Sequence, residues 1–452
     1  MSANLAVENE KFEAGTPVSG SIAEPRWNLA FVGILLFLIN EYARVQQMYP
    51  ILRPFHVAKV VAGICVLGYI IGKRLSIKDS DARRIDLALV LYLIVCSVSG
   101  LFAENSGAAW SPVTDALSWG LVYFLISRIV STTWRLRLFV LLLLLLCFKL
   151  AQFAIRSYFL YGDVTGSGGS LAMVGLGAND VFGNSNDFGH GMAVVWPIAG
   201  TLAWGEKKLL WRIILGAAFA AISLALLLSG CRGALLGIGV TVLVAIVRSS
   251  RKFWAVTMGL MIAIGAFLIL PTANLDRLHS ALHYKQDPEA QRRLALWLAG
   301  WQMFKDHPML GVGPGNFAIS YQTKYYGSDP NPAAWAPHNI YIQVLSEEGL
   351  LGMAAALPLW LFALGLNGRT RKRLVAAEGS AKQGFEYTLA LGLELALVSY
   401  LVSAAFLTTF NFPHFWFLLG LSVGLNVACS RTVQQEGARL QVADSDSVMA
   451  TK

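Results

Sequence analysis

Four short stretches of the sequence hold the residues best suited to chemistry. SGCRG, Ser229–Gly233, carries Arg232. EAQRRLALWLAGWQMFKD, Glu289–Asp306, carries Arg292 and Arg293, with Arg293, Trp297, Trp301 and Phe304 recurring on one helical face. PHNIYIQVLSEEG, from Pro337, carries His338, Asn339, Tyr341 and the adjacent Glu347 and Glu348. GNSNDFGHG, Gly183–Gly191, carries Asn186, Asp187 and His190. An arginine among aromatic rings suits an anion or a sugar; the same pattern also suits an interfacial helix with its tryptophans at headgroup level. His338 follows a proline and precedes a helix. The macrodipole disfavours positive charge there, so a neutral imidazole able to accept a proton is expected; the alternative is a hydrogen-bonded surface histidine. At about 100° per residue, Glu347 falls on the far face of a straight helix from His338, so the two form no local dyad. Glu347 is expected to anchor an arginine of a neighbouring element, or else to make a structural salt bridge at the interface. Tyr341, Leu345 and Gly349 share the face of His338, and Gly349 is expected to admit another helix. Asn186 or Asp187 is expected to cap the helix that follows. Asp187 and His190 have the i, i+3 spacing of a ligand pair but no third ligand, so no metal site is expected.

The elements that position these residues follow from composition. The chain has 452 residues, 56% hydrophobic and 14% charged, against roughly 25% charged in a soluble protein. This indicates an integral membrane protein, in which the net charge of +9 reflects basic loops against anionic lipid rather than nucleic acid. The five cysteines form no CxxC pair, so neither a disulfide framework nor a metal knuckle is indicated. The first residues lack an apolar core, so no cleavable signal peptide is expected. About twelve spans are expected at roughly 20 apolar residues each, centred on Phe31–Asn40, Val57–Ile71, Leu87–Leu101, Val113–Ile126, Leu138–Phe153, Met192–Ala203, Ile213–Leu228, Ala234–Val247, Trp254–Leu270, Leu350–Leu366, Leu389–Leu407 and Phe415–Ala428. Lys149 and Glu394 fall within spans and are functional candidates on that ground. Loops between spans alternate: basic ones carry Lys73 to Arg84, Arg128 to Arg137, Lys207 to Arg212, Arg248 to Lys252 and Arg369 to Lys382, while the short and medium loops of the other set hold few cations. The positive-inside rule makes the first set cytoplasmic and turns the long segment Pro271–Pro337 outward, with both termini cytoplasmic. Arg232 then lies in a very short outward connection where topology gives a cation no reason to be. Tyr161–His190, rich in Gly, Asn, Asp and Ser, reads as an outward loop.

The ordered motifs SGCRG, RLALWLAGWQMFKDHPMLGVGPGNF (Arg293–Phe317) and HNIYIQVLSEEGLLG (His338–Gly352) resemble those of the O-antigen ligase and polymerase superfamily. GNSNDFGHG resembles the family's Asn-containing motif, placed here on Asn186, and the likeness covers roughly residues 182–352. The resemblance implies an all-α polytopic membrane protein with about 12 transmembrane helices and one large periplasmic loop containing amphipathic helices. Residues 1–27 and 430–452 would be cytoplasmic tails, 28–429 the membrane domain and 271–337 the periplasmic loop. It further implies a glycosyltransferase of the bacterial inner membrane with its active site facing the periplasm. Such an enzyme takes glycan from an undecaprenyl-pyrophosphate-linked donor and passes it to lipid A–core, without metal or cofactor and with inversion. Arg232 and Arg293 would bind the pyrophosphate, with Arg292 as the neighbouring alternative, and His338 would be the base. Glu347 takes the family's glutamate position and Glu348 is a local variation; Asn186, Asn339, Tyr341 and Trp297 would support the site. A repeat-unit polymerase does similar chemistry, but motif matches this clear are more typical of ligases. Protein-glycosylating relatives carry a further outward portion near the C-terminus. A twelve-span transporter would instead place paired half-chains around polar groups at the bilayer midplane.

Overall fold

The structure is a computed structural model that describes residues 26–43, 49–55, 57–72, 79–162, 164, 184–248, 288–327, 329, 336–378, 384–408, 410 and 412–450. Among these residues every regular element is helical. That is what the apolar runs demand, because in lipid a backbone N–H finds a partner only within its own helix or a closed barrel. Helices α1 (Leu29–Ala43), α2 (Val57–Ile71), α3 (Ser80–Leu101), α4 (Ser106–Ile129), α5 (Thr133–Tyr161), α6 (Ser185–Gly205), α7 (Leu209–Ser229) and α8 (Arg232–Arg248) occupy expected spans. After α9 (Pro288–Asp306), helices α10 (Ile340–Glu378), α11 (Phe385–Ser403) and α12 (Pro413–Ala450) occupy three more. The expected span Trp254–Leu270 lies outside the described residues.

Among the described residues, 6 helices are long and apolar enough to cross a membrane: α3, α5, α7, α10, α11 and α12. They make this a multi-pass membrane protein. The others fall short for visible reasons. Helices α1 and α2 have 15 residues each and α8 has 17, against roughly 20 for a full crossing. Helix α4 carries Ser111, Thr114, Asp115 and Ser118 in mid-run, and α6 opens with polar residues. Two expected boundaries move. Helix α6 begins at Ser185, so the loop expected to reach His190 ends earlier. Helix α12 continues to Ala450 through the segment read as a polar tail, where Gln, Glu, Ala, Arg and Leu are good helix formers.

The two ends of the bundle differ in chemistry. At one end Arg373 bonds Asp81 at 2.7 Å and Asp79 at 3.4 Å, and Ser430 donates to Asp79 at 3.0 Å. Arg128 pairs with Asp86 at 2.5 Å, and Arg371 and Arg248 share Glu394. All four arginines come from the basic loop set, so the charge alternation of the sequence is also a segregation in space. Glu394, an apolar-span candidate, is thereby a paired carboxylate at this basic end. The opposite end gathers the motif residues.

Helix α10 is not continuous. Gly349 has φ 68° and ψ −159°, and a Cβ there would stand 2.5 Å from the Met309 carbonyl atoms. Residues 308–313 run beside the break and take up the hydrogen bonds the helix loses. Leu350 and Leu351 N–H donate to the Pro308 and Met309 carbonyls (2.8 and 3.2 Å), and Val312 and Gly313 N–H donate to those of Ser346 and Glu347 (2.9 and 2.8 Å). Ser99 of α3 pins the junction by donating to the carbonyls of Leu310 at 2.6 Å and Glu347 at 3.0 Å. A neighbouring helix was expected at Gly349; a loop arrives instead. A helix has already bonded its own backbone, whereas extended chain offers both the donors and the acceptors that a broken helix needs.

Candidate active site

SGCRG folds as the hinge between α7 and α8. Gly230 ends α7 in the left-handed region, φ 62°, and its N–H bonds the Leu227 carbonyl. Ser229 accepts from Cys231 N–H at 3.3 Å, and the Cys231 sulfur accepts from Ala234 N–H at 3.4 Å, capping α8. Arg232 is therefore the first residue of α8, a position where the helix macrodipole opposes a cation and favours an anion beside it. Gly233 lets residue 406 approach, since a Cβ there would sit 2.9 Å from Phe406 Cβ.

Helix α9 supplies the facing wall. Its Leu296, Ala299, Gly300 and Met303 are buried, and Arg293 and Trp297 lie along the edge of that face. Arg293 donates to Glu289 at 2.6 Å and to the Phe406 carbonyl at 3.2 Å. The Trp297 indole N–H donates to the Pro337 carbonyl at 3.0 Å, and its ring lies 6.3 Å from Phe406. The expected aromatic face divides: Trp297 joins the site, while Trp301 is exposed beside Phe304. Arg232, Arg293, Trp297 and Asn186 line one cavity of about 540 Å³, together with Glu289. Asn186 faces it because Asn184 does the capping expected of Asn186 or Asp187: its Oδ1 accepts from Asp187 N–H at 2.9 Å.

His338 does not line the cavity but stands at its edge. It is the one non-glycine residue with positive φ (49°) among the described residues, a conformation that side chains avoid and that surrounding structure must hold. Two bonds hold it: its N–H donates to Thr408 Oγ1 at 3.0 Å, and the preceding carbonyl accepts from Trp297. Burial lowers the pKa of the imidazole; Arg293 lowers it further, with Glu289 opposing. The direction is that of the expected neutrality, with burial and Arg293 as the causes in place of the macrodipole. Helix α10 starts two residues later and is capped by Asn339, which accepts from Tyr341 and Ile342 N–H at 2.9 and 3.1 Å.

The remaining candidates lie elsewhere. Arg292 points away from the cavity, 3.8 Å from Asp329. Tyr341 ties α10 to α11 by donating to the Leu401 carbonyl at 2.8 Å. Among the described residues, Glu347 anchors no arginine. Its carboxylate accepts from Phe317 N–H at 3.2 Å and from Gln343 at 3.3 Å, because the turn after α9 leaves backbone donors that need an acceptor. Glu348 accepts from Tyr92 of α3 at 2.8 Å and is buried. Asp187 pairs with Asn184 and His190 with Ser403, so those two do not converge as ligands. Sequence reasoning missed Glu289, Phe406 and Thr408. The i, i+4 spacing of Glu289 and Arg293 was a signal for the first; nothing in the sequence marked the other two.

No curated protein matches the chain. Residues 217–357 match the model of a family described as O-antigen ligase. The matched stretch contains Arg232, Arg292, Arg293, His338 and Glu347 and begins after Asn186. It spans both halves of the cavity wall and the strained histidine beside it, and over this stretch the chain is similar to the O-antigen ligase family.

Proposed function

We propose that the protein is an O-antigen ligase that moves a glycan from undecaprenyl pyrophosphate to a sugar hydroxyl of lipid A–core, at the periplasmic face of the bacterial inner membrane. The family match supports glycosyl transfer of the ligase or polymerase type. The clarity of the motifs favours the ligase. The observation that carries the assignment of roles is the shared cavity: guanidinium groups from α8 and α9 face one space with a neutral-leaning imidazole at its edge.

The donor's anomeric carbon bears pyrophosphate, a good leaving group whose charge grows as the bond breaks. Arg232 and Arg293 meet that charge with planar, two-pronged donors in a partly dried site. The acceptor hydroxyl oxygen attacks the anomeric carbon from the side opposite the pyrophosphate. The new C–O bond forms as the old one breaks, the electron pair stays on the pyrophosphate oxygen, and the hydroxyl proton passes to His338. One displacement inverts the anomeric centre. Trp297 offers the sugar an apolar face, and Asn186 a hydrogen-bonding amide.

Deleting the gene is the direct test. A ligase reading expects lipid-linked glycan of normal length to accumulate while lipid A–core stays unmodified. Lipid A–core still carrying single repeat units would instead identify a polymerase.

A further inference from the structure

Glu289 carries the wrong charge for a pyrophosphate site, yet it lines the cavity. Its carboxylate holds one terminal nitrogen of Arg293 at 2.6 Å, while the other terminal nitrogen bonds the Phe406 carbonyl at 3.2 Å. Both prongs of the guanidinium therefore already have oxygen partners before any ligand enters. Those bonds use two of the five N–H groups of the guanidinium, so a phosphate gripped by Arg293 meets the Glu289 carboxylate as a like charge on the same cation and competes with it. We propose that Glu289 is a resident counter-ion of Arg293: it occupies the guanidinium between turnovers, yields to the lipid-linked donor, and returns to help expel the lipid pyrophosphate product. This rests on the reading of the cavity as a pyrophosphate site.

The physical chemistry fits an exchangeable partner. The pair spans one helical turn, and the Glu289 side chain is 59% exposed against 21% for Arg293. Such a solvent-exposed i, i+4 pair is weak, so the donor displaces it at little cost. Released, Glu289 remains in the first turn of α9, where the macrodipole favours a carboxylate. The need for a competitor arises from the reaction itself. Breaking the bond between the anomeric carbon and pyrophosphate leaves a terminal phosphate with one more ionisable oxygen. The product is thus a stronger anion than the donor and is held more tightly by the same two arginines. A carboxylate on the helix that carries Arg293 supplies a local competitor at no entropic cost of association.

Inorganic pyrophosphate is the probe, used as a competitor of transfer and in direct binding to the full-length protein in nanodiscs. Glu289→Gln keeps the side-chain shape and removes the charge. It is expected to bind pyrophosphate roughly fivefold tighter, the size of one like charge removed across a few ångströms of solvated cavity. Steady-state turnover is expected to fall by a larger factor than single-turnover transfer. Equal or weaker pyrophosphate binding by Glu289→Gln, with Arg293→Ala still weakening it, overturns the counter-ion role alone. If Arg232→Ala and Arg293→Ala both leave pyrophosphate binding unchanged, the cavity is not a pyrophosphate site and both readings fall.

Discussion

At His338 a strained backbone and a disfavoured charge occur in one residue, and the arginines beside it make the two roles separable. If Arg232 grips pyrophosphate, Arg232→Ala weakens donor binding as well as transfer, and Arg232→Lys rescues poorly because an ammonium has no planar fork. His338→Ala is expected to lower transfer about 10²–10⁴-fold, the usual worth of a positioned base, with donor affinity nearly intact. Donor binding measured beside transfer rate for the three variants decides this; a His338→Ala protein that transfers at wild-type rate removes the base. The pH profile gives an independent check. Burial and Arg293 both push the imidazole below its ordinary value, so the neutral base persists to lower pH and is lost only as pH falls through that depressed pKa. The acid limb of the rate profile should therefore lie below the ordinary imidazole value of about 6.5. Arg293→Gln removes a lowering influence, so the residual activity's acid limb should move to higher pH. A limb that stays in place or moves down would show that Arg293 does not set the charge of His338.

Among the elements, broken α10 carries most of the site's geometry. The break at Gly349 draws residues 308–313 against the helix, and that loop in turn sets where α9 ends and where Arg293 and Trp297 stand. Gly349→Ala should lower the thermal unfolding midpoint in detergent and reduce transfer. The φ, ψ pair is one that essentially only glycine adopts and costs an ordinary residue about 1–3 kcal/mol, before the new methyl meets the Met309 carbonyl at 2.5 Å. A Gly349→Ala protein with wild-type midpoint and activity would mean that the break is incidental. The sequence marked Gly349 as a place of close approach, and close approach is what occurs. It did not reveal that the approaching chain is a loop, because that depends on which backbone groups the break leaves open, a fact of three dimensions.

At the scale of the whole molecule, the charge segregation carries the expectation of orientation. The network of Arg128, Arg248, Arg371 and Arg373 marks the end expected to face the cytoplasm, and the cavity lies at the other. The five native cysteines are all buried, so they leave little background for thiol labelling. Gln322→Cys and Ala376→Cys place thiols at exposed positions of the two ends. A membrane-impermeant thiol reagent added from outside should label the first and spare the second; the reverse pattern would turn the whole site to the cytoplasm.

Helices, their approximate positions and the two-ended charge pattern were legible in the sequence, because each is dictated locally. An apolar run in lipid must be helical, and a loop's charge needs no partner to be counted. Arg232, Arg293 and His338 were legible as a set through the motifs that carry them. Tertiary structure alone decided that Arg293 faces the cavity while Arg292, one residue earlier, turns to Asp329. It also decided that Glu347 serves backbone donors near Phe317 instead of an arginine, and that Asn184 rather than Asn186 caps α6, leaving Asn186 for the site. Each of these depends on which polar group a folded neighbour leaves unbonded. That neighbour is often distant in the chain, as Thr408 is from His338 and Phe406 from Arg293, so no local pattern of residue types announces it.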